Sequence, residues 1–164
     1  MLKTIQSVYY IIEHKRNFGL FLVSLILNCS FVRAGINFED CGSNWGTINS
    51  IVIKPCDSEP CTLVKNQNSS VTINFTPKED ITAGRVRVHG IINFIPIPFS
   101  LPDSTLCPHV TENCPMKAGQ NYDYTISLFI KPFYPSISLK IKWELQDQKS
   151  SDIICAEFPA RIST

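Results

Sequence analysis

The sequence lacks the motifs on which the common enzyme mechanisms depend. It contains no Gly-x-Ser-x-Gly turn for a nucleophilic serine, no His-Glu-x-x-His pair for zinc and no glycine-rich phosphate loop. Histidine is scarce, with three in 164 residues. Two of them, His89 and His109, follow residue 34, and we predict both to be surface or hydrogen-bonded residues. An enzymatic function is therefore not expected.

A strong excess of charge of either sign is also missing. The chain has 15 basic and 14 acidic residues, for a formal net charge of +1. No cluster of lysines and arginines forms the basic patch that nucleic acids or anionic membranes attract. Nucleic acid is therefore excluded as an expected partner.

The first 34 residues differ in character from the rest. Basic residues precede an apolar run over 18–27, and Val32-Arg33-Ala34 follows, which is the order of a secretory signal peptide. A membrane anchor is the alternative, but a bilayer requires about 20 apolar residues and Asn28 interrupts the run too soon. We predict a signal peptide over 1–34 and one domain over 35–164. Loss of four basic residues and one acidic residue with the leader gives the domain a net charge of −2.

The cysteines agree with export into an oxidising compartment. Of seven cysteines, Cys29 lies in the leader, so six remain. Six cysteines allow 15 pairings, among which sequence alone cannot choose. Spacing suggests two short loops and one long closure, namely Cys56 with Cys61, Cys107 with Cys114, and Cys41 with Cys155. A zinc site is the alternative, but no Cys-x2-Cys pair is present.

Two glycosylation sequons lie beyond the leader. They are Asn68-Ser69-Ser70 and Asn74-Phe75-Thr76, which makes Asn68 and Asn74 candidate glycan acceptors. Such short patterns also occur by chance, so the sequence does not show which of them is used.

The sequence pattern of the domain predicts strands at short spacing and almost no helix. Apolar and polar residues alternate over 137–146, 122–130, 71–76 and 85–89, which indicates strands with one buried face. Weaker strand patterns cover 48–54, 61–65 and 153–162. About seven strands with proline- and glycine-rich turns predict an all-β, immunoglobulin-like sandwich of two antiparallel sheets.

Two apolar segments do not have the sequence pattern expected of ordinary core strands. Residues 91–102 contain Pro96, Pro98 and Pro102 among bulky apolar side chains, and proline excludes a central strand there. Residues 129–135 are also aromatic and proline-rich. Such apolar loops without catalytic groups either close the core or line the mouth of a cavity for a hydrophobic ligand.

Several short motifs together resemble a known family. In chain order they are Phe38-Glu39-Asp40-Cys41-Gly42-Ser43, Pro55-Cys56 with Pro60-Cys61, Val88-His89-Gly90-Ile91, Ile95-Pro96-Ile97-Pro98-Phe99, Asn113-Cys114-Pro115, Tyr134-Pro135-Ser136-Ile137 and Trp143-Glu144-Leu145-Gln146-Asp147. This set is similar to the ML (lipid-recognition) domain family, and within it to the Niemann–Pick type C intracellular cholesterol transporter 2 group. The resemblance covers residues 36–164.

The resemblance implies a soluble sterol carrier with no cofactor, whose bound lipid is cargo held between two sheets. It implies the disulfides Cys41–Cys155, Cys56–Cys61 and Cys107–Cys114. The implied pocket residues are Ile97, Phe99, Ile130, Tyr134 and, deeper, Trp143, with Phe129 at the pocket edge. The implied transfer surface comprises His89, Gly90, Ile95, Ile97 and Asp103.

The resemblance also implies a setting and partners. A secreted or lysosomal protein would pass sterol to the luminal domain of a membrane sterol transporter, with transient membrane contact. A monomer is the default expectation for a carrier with one port. Two other functions remain open at this point. The cargo could be a fatty acid or semiochemical in extracellular fluid, or the protein could sense microbial lipid in immune recognition.

Overall fold

The described part of the chain is a β-sandwich. The computed structural model describes residues 35–164. Nine strands and one short 3-10 helix at Cys107–His109 make up the secondary structure of this part. The strands are β1 (Glu39–Asp40), β2 (Gly46–Lys54), β3 (Cys61–Val64), β4 (Asn68–Pro77), β5 (Gly84–Ile92), β6 (Ile95–Phe99), β7 (Tyr122–Phe129), β8 (Ser138–Asp147) and β9 (Asp152–Ser163).

Two sheets of different width face each other. The wider sheet has the order β1-β9-β8-β5-β6, with β3 also paired to β9, and the narrower sheet has the order β2-β4-β7. The predicted two-sheet sandwich is confirmed. Every pairing is antiparallel except that of β3 with β9, which is parallel. The strand count exceeds the predicted seven because no clear alternation marks the two-residue β1 or the proline-rich β6.

Strand β6 occupies a segment that was predicted to be a loop. Its residues pair with β5 in regular antiparallel register, from Ile95 opposite Ile92 to Phe99 opposite Val88. Pro96 and Pro98 alternate with the apolar residues, so their nitrogens can face the open edge, where no donor is needed. The prolines exclude a central position, as expected, but they are compatible with an edge strand.

The core lies between the sheets and follows the predicted alternation. In β7 every second side chain from Tyr122 to Leu128 is buried. In β4 Val71, Ile73 and Phe75 are buried in the same way. These side chains meet Trp143 and Leu145 of β8 from the wider sheet, which are 1% and 0% exposed.

The alternation fails in the second half of β8. Glu144 and Gln146 were expected on a solvent-facing side, but both are buried. Glu144 is covered because Lys142 Nζ lies 2.9 Å from its Oε1 and His89 Nδ1 lies 3.3 Å from its Oε2. Gln146 Nε2 donates to Asp152 Oδ1 at 2.9 Å. Long polar side chains of β8 itself (Lys142) and of the neighbouring strands β5 and β9 (His89 and Asp152) thus cover this central strand.

Three disulfides connect the described residues. Their pairs are Cys41–Cys155, Cys56–Cys61 and Cys107–Cys114, which are the pairs that the spacing suggested. The first joins the segment after β1 to β9. Within residues 35–164 we find no helix with the length and apolar character needed to cross a bilayer. The predicted leader, residues 1–34, lies outside the described residues.

Candidate functional site

An apolar cavity lies between the two sheets at one end of the sandwich. Its volume is about 70 Å³, and its wall is almost entirely apolar. At this end β5 and β7 finish and β8 begins, so three strand ends and the loop before β8 surround the space. The lining residues are Leu63, Val88, His89, Gly90, Phe99, Leu128, Ile130, Tyr134, Leu139, Ile141, Trp143 and Ile162.

The strand period explains how these side chains converge. Leu139, Ile141 and Trp143 are alternate residues of β8 and therefore share its inner face. Val88 pairs with Trp143, and Gly90 pairs with Ile141, so β5 continues the same inner wall. Leu128 and Ile130 approach from the end of β7 in the opposite sheet. Gly90 leaves space in this wall, because a Cβ there would lie 2.9 Å from Leu139 Cδ1.

Trp143 forms the deep end of the cavity. Its ring centroid lies 6.1 Å from that of Tyr124, which is fully buried. Burial raises the pKa of the Tyr124 hydroxyl well above its ordinary value, so this group stays neutral. Neither Trp143 Nε1 nor the Tyr124 hydroxyl has a hydrogen-bond partner among the described residues.

Two aromatic rings form the outer end, which we call the cavity mouth. Phe99 of β6 and Tyr134 of the loop before β8 meet edge to face, with ring centroids 5.8 Å apart. Phe133 also meets Tyr134 edge to face, with ring centroids 5.2 Å apart. Partial burial raises the pKa of Tyr134, so its hydroxyl is also neutral at physiological pH. The mouth thus consists of side chains that can move apart without breaking an ion pair.

Four of the six predicted pocket residues line the cavity, namely Phe99, Ile130, Tyr134 and Trp143. The structure does not bring Ile97 or Phe129 to the wall. Ile97 shares the inner face of β6 with Phe99 but is half exposed, because the narrower sheet does not extend over it. Phe129 alternates with Leu128 and Ile130 and therefore lies on the outer face of β7.

The predicted transfer-surface residues lie in three different places. Gly90 lines the cavity, and Ile95 is exposed at the same end. His89 is also among the lining residues, but its imidazole lies beside Glu144 on the outer face of the sheet. Asp103 is far from them, since the neighbouring Thr105 bridges to Arg85 near the start of β5. At about 3.3 Å per residue, Asp103 is roughly 20 Å from the end of β5.

Other lining residues were missed as pocket residues, although the sequence placed several of them in strands. Val88, Leu128, Leu139 and Ile141 lie on faces whose alternation predicted burial. Leu63 and Ile162 pair across the parallel β3 and β9 strands, a contact that no local pattern indicates. The signal for these residues was the buried face of each strand, but alternation does not distinguish filled core from cavity wall.

The two candidate glycan acceptors lie outside this cavity. Asn68 is exposed at the start of β4. The Asn74 side chain belongs to a polar network on the outer face of the narrower sheet: its Nδ2 donates to Asp123 Oδ1 at 2.7 Å, and its Oδ1 accepts from Asn49 Nδ2 at 2.8 Å. The glycosylation of either residue stays a prediction.

A second depression of about 160 Å³ lies over the Cys56–Cys61 loop. It is larger, but its wall is equally polar and apolar and consists of loop residues such as Pro55, Asp57 and Ser58. We therefore take the cavity between the sheets as the candidate site. Residues 35–164 bring no three histidine, cysteine, aspartate or glutamate side chains together in a way that could hold a metal ion.

Comparison with known proteins connects this geometry to a family. The family model described as the ML domain matches residues 35–162. The NPC intracellular cholesterol transporter 2 of Mus musculus is 36% identical over 148 residues, covering 88% of this chain and 99% of the relative. A homolog of that transporter in Drosophila melanogaster is 39% identical over 129 residues, covering 77% of this chain and 87% of the relative.

Solved structures agree with this result. The Niemann-Pick type C2 protein from the Japanese carpenter ant superposes with a TM-score of 0.74 at 32% identity, covering 78% of this chain and all of that one. Chicken MD-1, solved in complex with lipid IVa, has a TM-score of 0.52 at 17% identity, covering 76% of this chain and 86% of its own. At that identity the second comparison shows a shared fold and no more.

Proposed function

The chain belongs to the ML-domain family, in its group of NPC intracellular cholesterol transporter 2 proteins, and we propose that it binds a sterol in the cavity and passes it to a membrane partner. The observation that carries the proposal is the apolar cavity between the sheets with two aromatic rings at its mouth. Like its family relatives, the protein is a lipid-binding protein and not an enzyme.

The free energy for binding comes from apolar surface. Burial of such surface contributes about 25 cal/mol per Å², and a sterol is almost entirely apolar. The wall offers no buried charge that would have to lose its hydration. A single polar group on the ligand therefore stays most favourably at the mouth, where water remains accessible.

The cavity must enlarge before it can take such a ligand. A cavity of about 150 Å³ accommodates a benzene molecule, whereas this one has a volume of about 70 Å³. Movement of the partly exposed rings of Phe99 and Tyr134 enlarges the cavity at the lowest cost in free energy. Neither ring is held by a hydrogen bond from its side chain to another described residue. In this proposal the two rings separate to admit the sterol and close again over it.

The setting and the partner are parts of the same proposal. A leader over residues 1–34 and six paired cysteines fit a secreted or lysosomal protein that acts as a monomer. The names of its relatives support intracellular cholesterol transport. The luminal domain of a membrane sterol transporter, the recipient that the family resemblance implies, would then receive cargo at the mouth.

The proposal is tested by identifying the cargo. The secreted protein is purified and its bound lipid identified by native mass spectrometry. A fluorescent sterol is then competed against cholesterol and oleate. We expect a bound sterol, displaced by cholesterol and not by oleate. Recovery of fatty acid, with displacement by oleate alone, would reassign the cavity to an acyl-chain or semiochemical carrier.

A further inference from the structure

Phe129 is an aromatic side chain on a polar face. The outer face of the narrower sheet carries hydroxyl groups of both β4 and β7, and those of Thr72 and Thr125 lie 3.0 Å apart. Phe129, the last residue of β7, lies on the same outer face and is 48% exposed. The exposed part of its ring gains nothing from the hydrophobic effect. A group that covered this ring would therefore be held there by the burial of apolar surface.

The residue directly opposite Phe129 is Asn68, the acceptor of the first sequon. Directly opposed residues of antiparallel strands project to the same face of the sheet. The next pair along is hydrogen-bonded, since Ile130 N donates to Gln67 O at 2.9 Å. Asn68 and Phe129 therefore form a pair of the other kind, in which the Cα atoms are about 4.5 Å apart and the side chains are close. A sugar joined to Asn68 Nδ2 would begin beside the phenyl ring.

The surroundings of Asn68 leave room for a sugar. Asn68 is exposed and is the first residue of β4. Strand β2 pairs with β4 only as far as Ser70, which lies opposite Lys54, so no β2 residue lies directly opposite Asn68. Strand β7 is at the edge of its sheet, so no further strand flanks the ring of Phe129. The pair thus offers one aromatic surface with open space around it.

Asn74 of the second sequon has different neighbours. Ser50 of β2 and Asp123 of β7 lie opposite it on its two sides. Its Nδ2 donates to Asp123 Oδ1 at 2.7 Å, and its Oδ1 accepts from Asn49 Nδ2 at 2.8 Å. A sugar on Asn74 would meet polar side chains and cover no apolar surface. The contact with an aromatic ring therefore distinguishes the first sequon from the second.

We propose that Asn68 carries an N-linked glycan and that the first sugar of this glycan packs its apolar face on the ring of Phe129. The C–H groups on one face of a pyranose ring are attracted to the negative face of an aromatic ring, and the contact removes apolar surface from water. The glycan would also cover the exposed end of an edge strand, where another chain could pair. The inference rests on the proposed setting, because the sugar is attached only in the secretory pathway.

The first measurement is the occupancy of the site. Native protein is expressed with its own leader in cells that attach high-mannose glycans, collected from the medium and analysed by glycopeptide mass spectrometry. Asn68 should be modified in most molecules. Ser70→Ala removes the sequon, keeps Asn68 and should abolish the modification. Ser70→Thr keeps the sequon and should retain it.

The outcomes of this measurement separate the inference from the proposed function. Secreted protein with an unmodified Asn68 would overturn the inference and leave the setting intact. Protein that stays in the cytosol would contradict the setting and, with it, the inference. Sterol binding is measured on the same sample, and its absence would contradict the proposed cargo whatever Asn68 carries.

The second measurement tests the contact with Phe129. Endoglycosidase H leaves only the first sugar on the chain, so the trimmed protein should keep the Tm of the untrimmed one. The Tm of Ser70→Ala should be about 3 °C lower, because the ring loses its cover. Phe129→Thr keeps the sequon and places a favourable strand residue opposite Asn68. In this background the addition of Ser70→Ala should leave the Tm unchanged.

Two results would exclude the contact even with Asn68 fully modified. Equal losses of Tm on Ser70→Ala in the native and Phe129→Thr backgrounds would show that the glycan acts without the ring. A trimmed protein as unstable as Ser70→Ala would show that the outer sugars, and not the first one, stabilise the fold. Ser70→Thr is the matched control for the substitution itself and should have at least the Tm of native protein.

Discussion

Phe99 and Tyr134 are joined edge to face at the mouth of the cavity, at a centroid separation of 5.8 Å. Phe99 comes from the edge strand β6 and Tyr134 from the loop before β8, so the pair connects two segments that share no backbone pairing. The contact is worth about 1 kcal/mol beyond the area it buries. Such a contact can hold the mouth closed and still open often enough for exchange.

The first prediction concerns this pair. Phe99→Ala should weaken sterol binding about tenfold, because the ligand loses an aromatic contact at the mouth. It should also accelerate dissociation of a fluorescent sterol in a stopped-flow experiment. Tyr134→Phe is the matched control, since it keeps the ring and removes only the hydroxyl, and it should bind like native protein. Unchanged affinity in Phe99→Ala would show that the ligand enters elsewhere.

The second prediction fills the cavity from its wall. Gly90→Leu places a side chain in the space beside Leu139, whose flexible end can move from the 2.9 Å approach. Sterol affinity should fall more than about tenfold, because overfilling a packed space costs about 1–3 kcal/mol. The Tm should change little, since glycine is a poor strand residue and its replacement offsets part of the crowding.

A substitution on the outer face of the same strand is the control for this prediction. Arg87 is exposed and lies three residues earlier in β5. Arg87→Leu should leave sterol affinity unchanged. If both variants lost binding equally, the loss would come from β5 as a whole, and the cavity assignment would be wrong.

The sequence predicted the strands better than the space between them. Alternation identified the buried faces of β4, β5, β7 and the first half of β8, because a period of two is a local property of each strand. It did not predict that Ile97 would be half exposed on the face it shares with Phe99. That outcome depends on the width of the opposite sheet, which has three strands and ends before β6.

The burial of Glu144 shows a second limit. The pattern Trp143-Glu144-Leu145 predicts a solvent-facing carboxylate, yet Lys142 and His89 cover it. Lys142 lies two residues away on the same face of β8, but His89 belongs to β5. Which strand flanks β8 is decided by pairing at long range, so the contribution of His89 is not readable from β8 itself. Resemblance to a family supplied four of the cavity residues, and periodicity alone would not have separated them from core.

The third prediction ranks the three disulfides by how much each contributes to the free energy of unfolding. Cys41 and Cys155 are 114 residues apart, whereas the other pairs are 5 and 7 residues apart. In the loop-entropy model, removal of the long closure costs about 4–5 kcal/mol and removal of either short one about 2 kcal/mol. Urea unfolding of the three double Cys→Ser variants measures this order directly. Equal losses would mean that strain or residual structure, and not loop length, determines their contributions.

The fourth prediction is a pH dependence at Asp103. Its Oδ1 accepts hydrogen bonds from the Thr105 hydroxyl and from the Thr105 amide at 2.8 Å, and its Oδ2 lies 3.1 Å from His109 Nε2. The bonds from Thr105, followed by the His109 contact, hold the pKa of this carboxyl below its ordinary value. The contribution to stability is then fully present above about pH 4, the unfolded pKa, and is lost as pH falls through the lower folded pKa.

Asp103→Asn removes this titration while keeping the shape of the side chain. The variant should have a lower Tm than native protein at pH 6, and the two values should converge only as the pH falls through the lowered pKa of the folded state and the native carboxyl becomes protonated. Asp123→Asn is a comparison variant on β7. The carboxylate of Asp123 accepts a hydrogen bond from the side chain of Asn74. A Tm difference for Asp103→Asn that showed no decrease as the pH was lowered, down to the acid limit at which the native protein still folds, would show that the charge of Asp103 does not stabilise the loop.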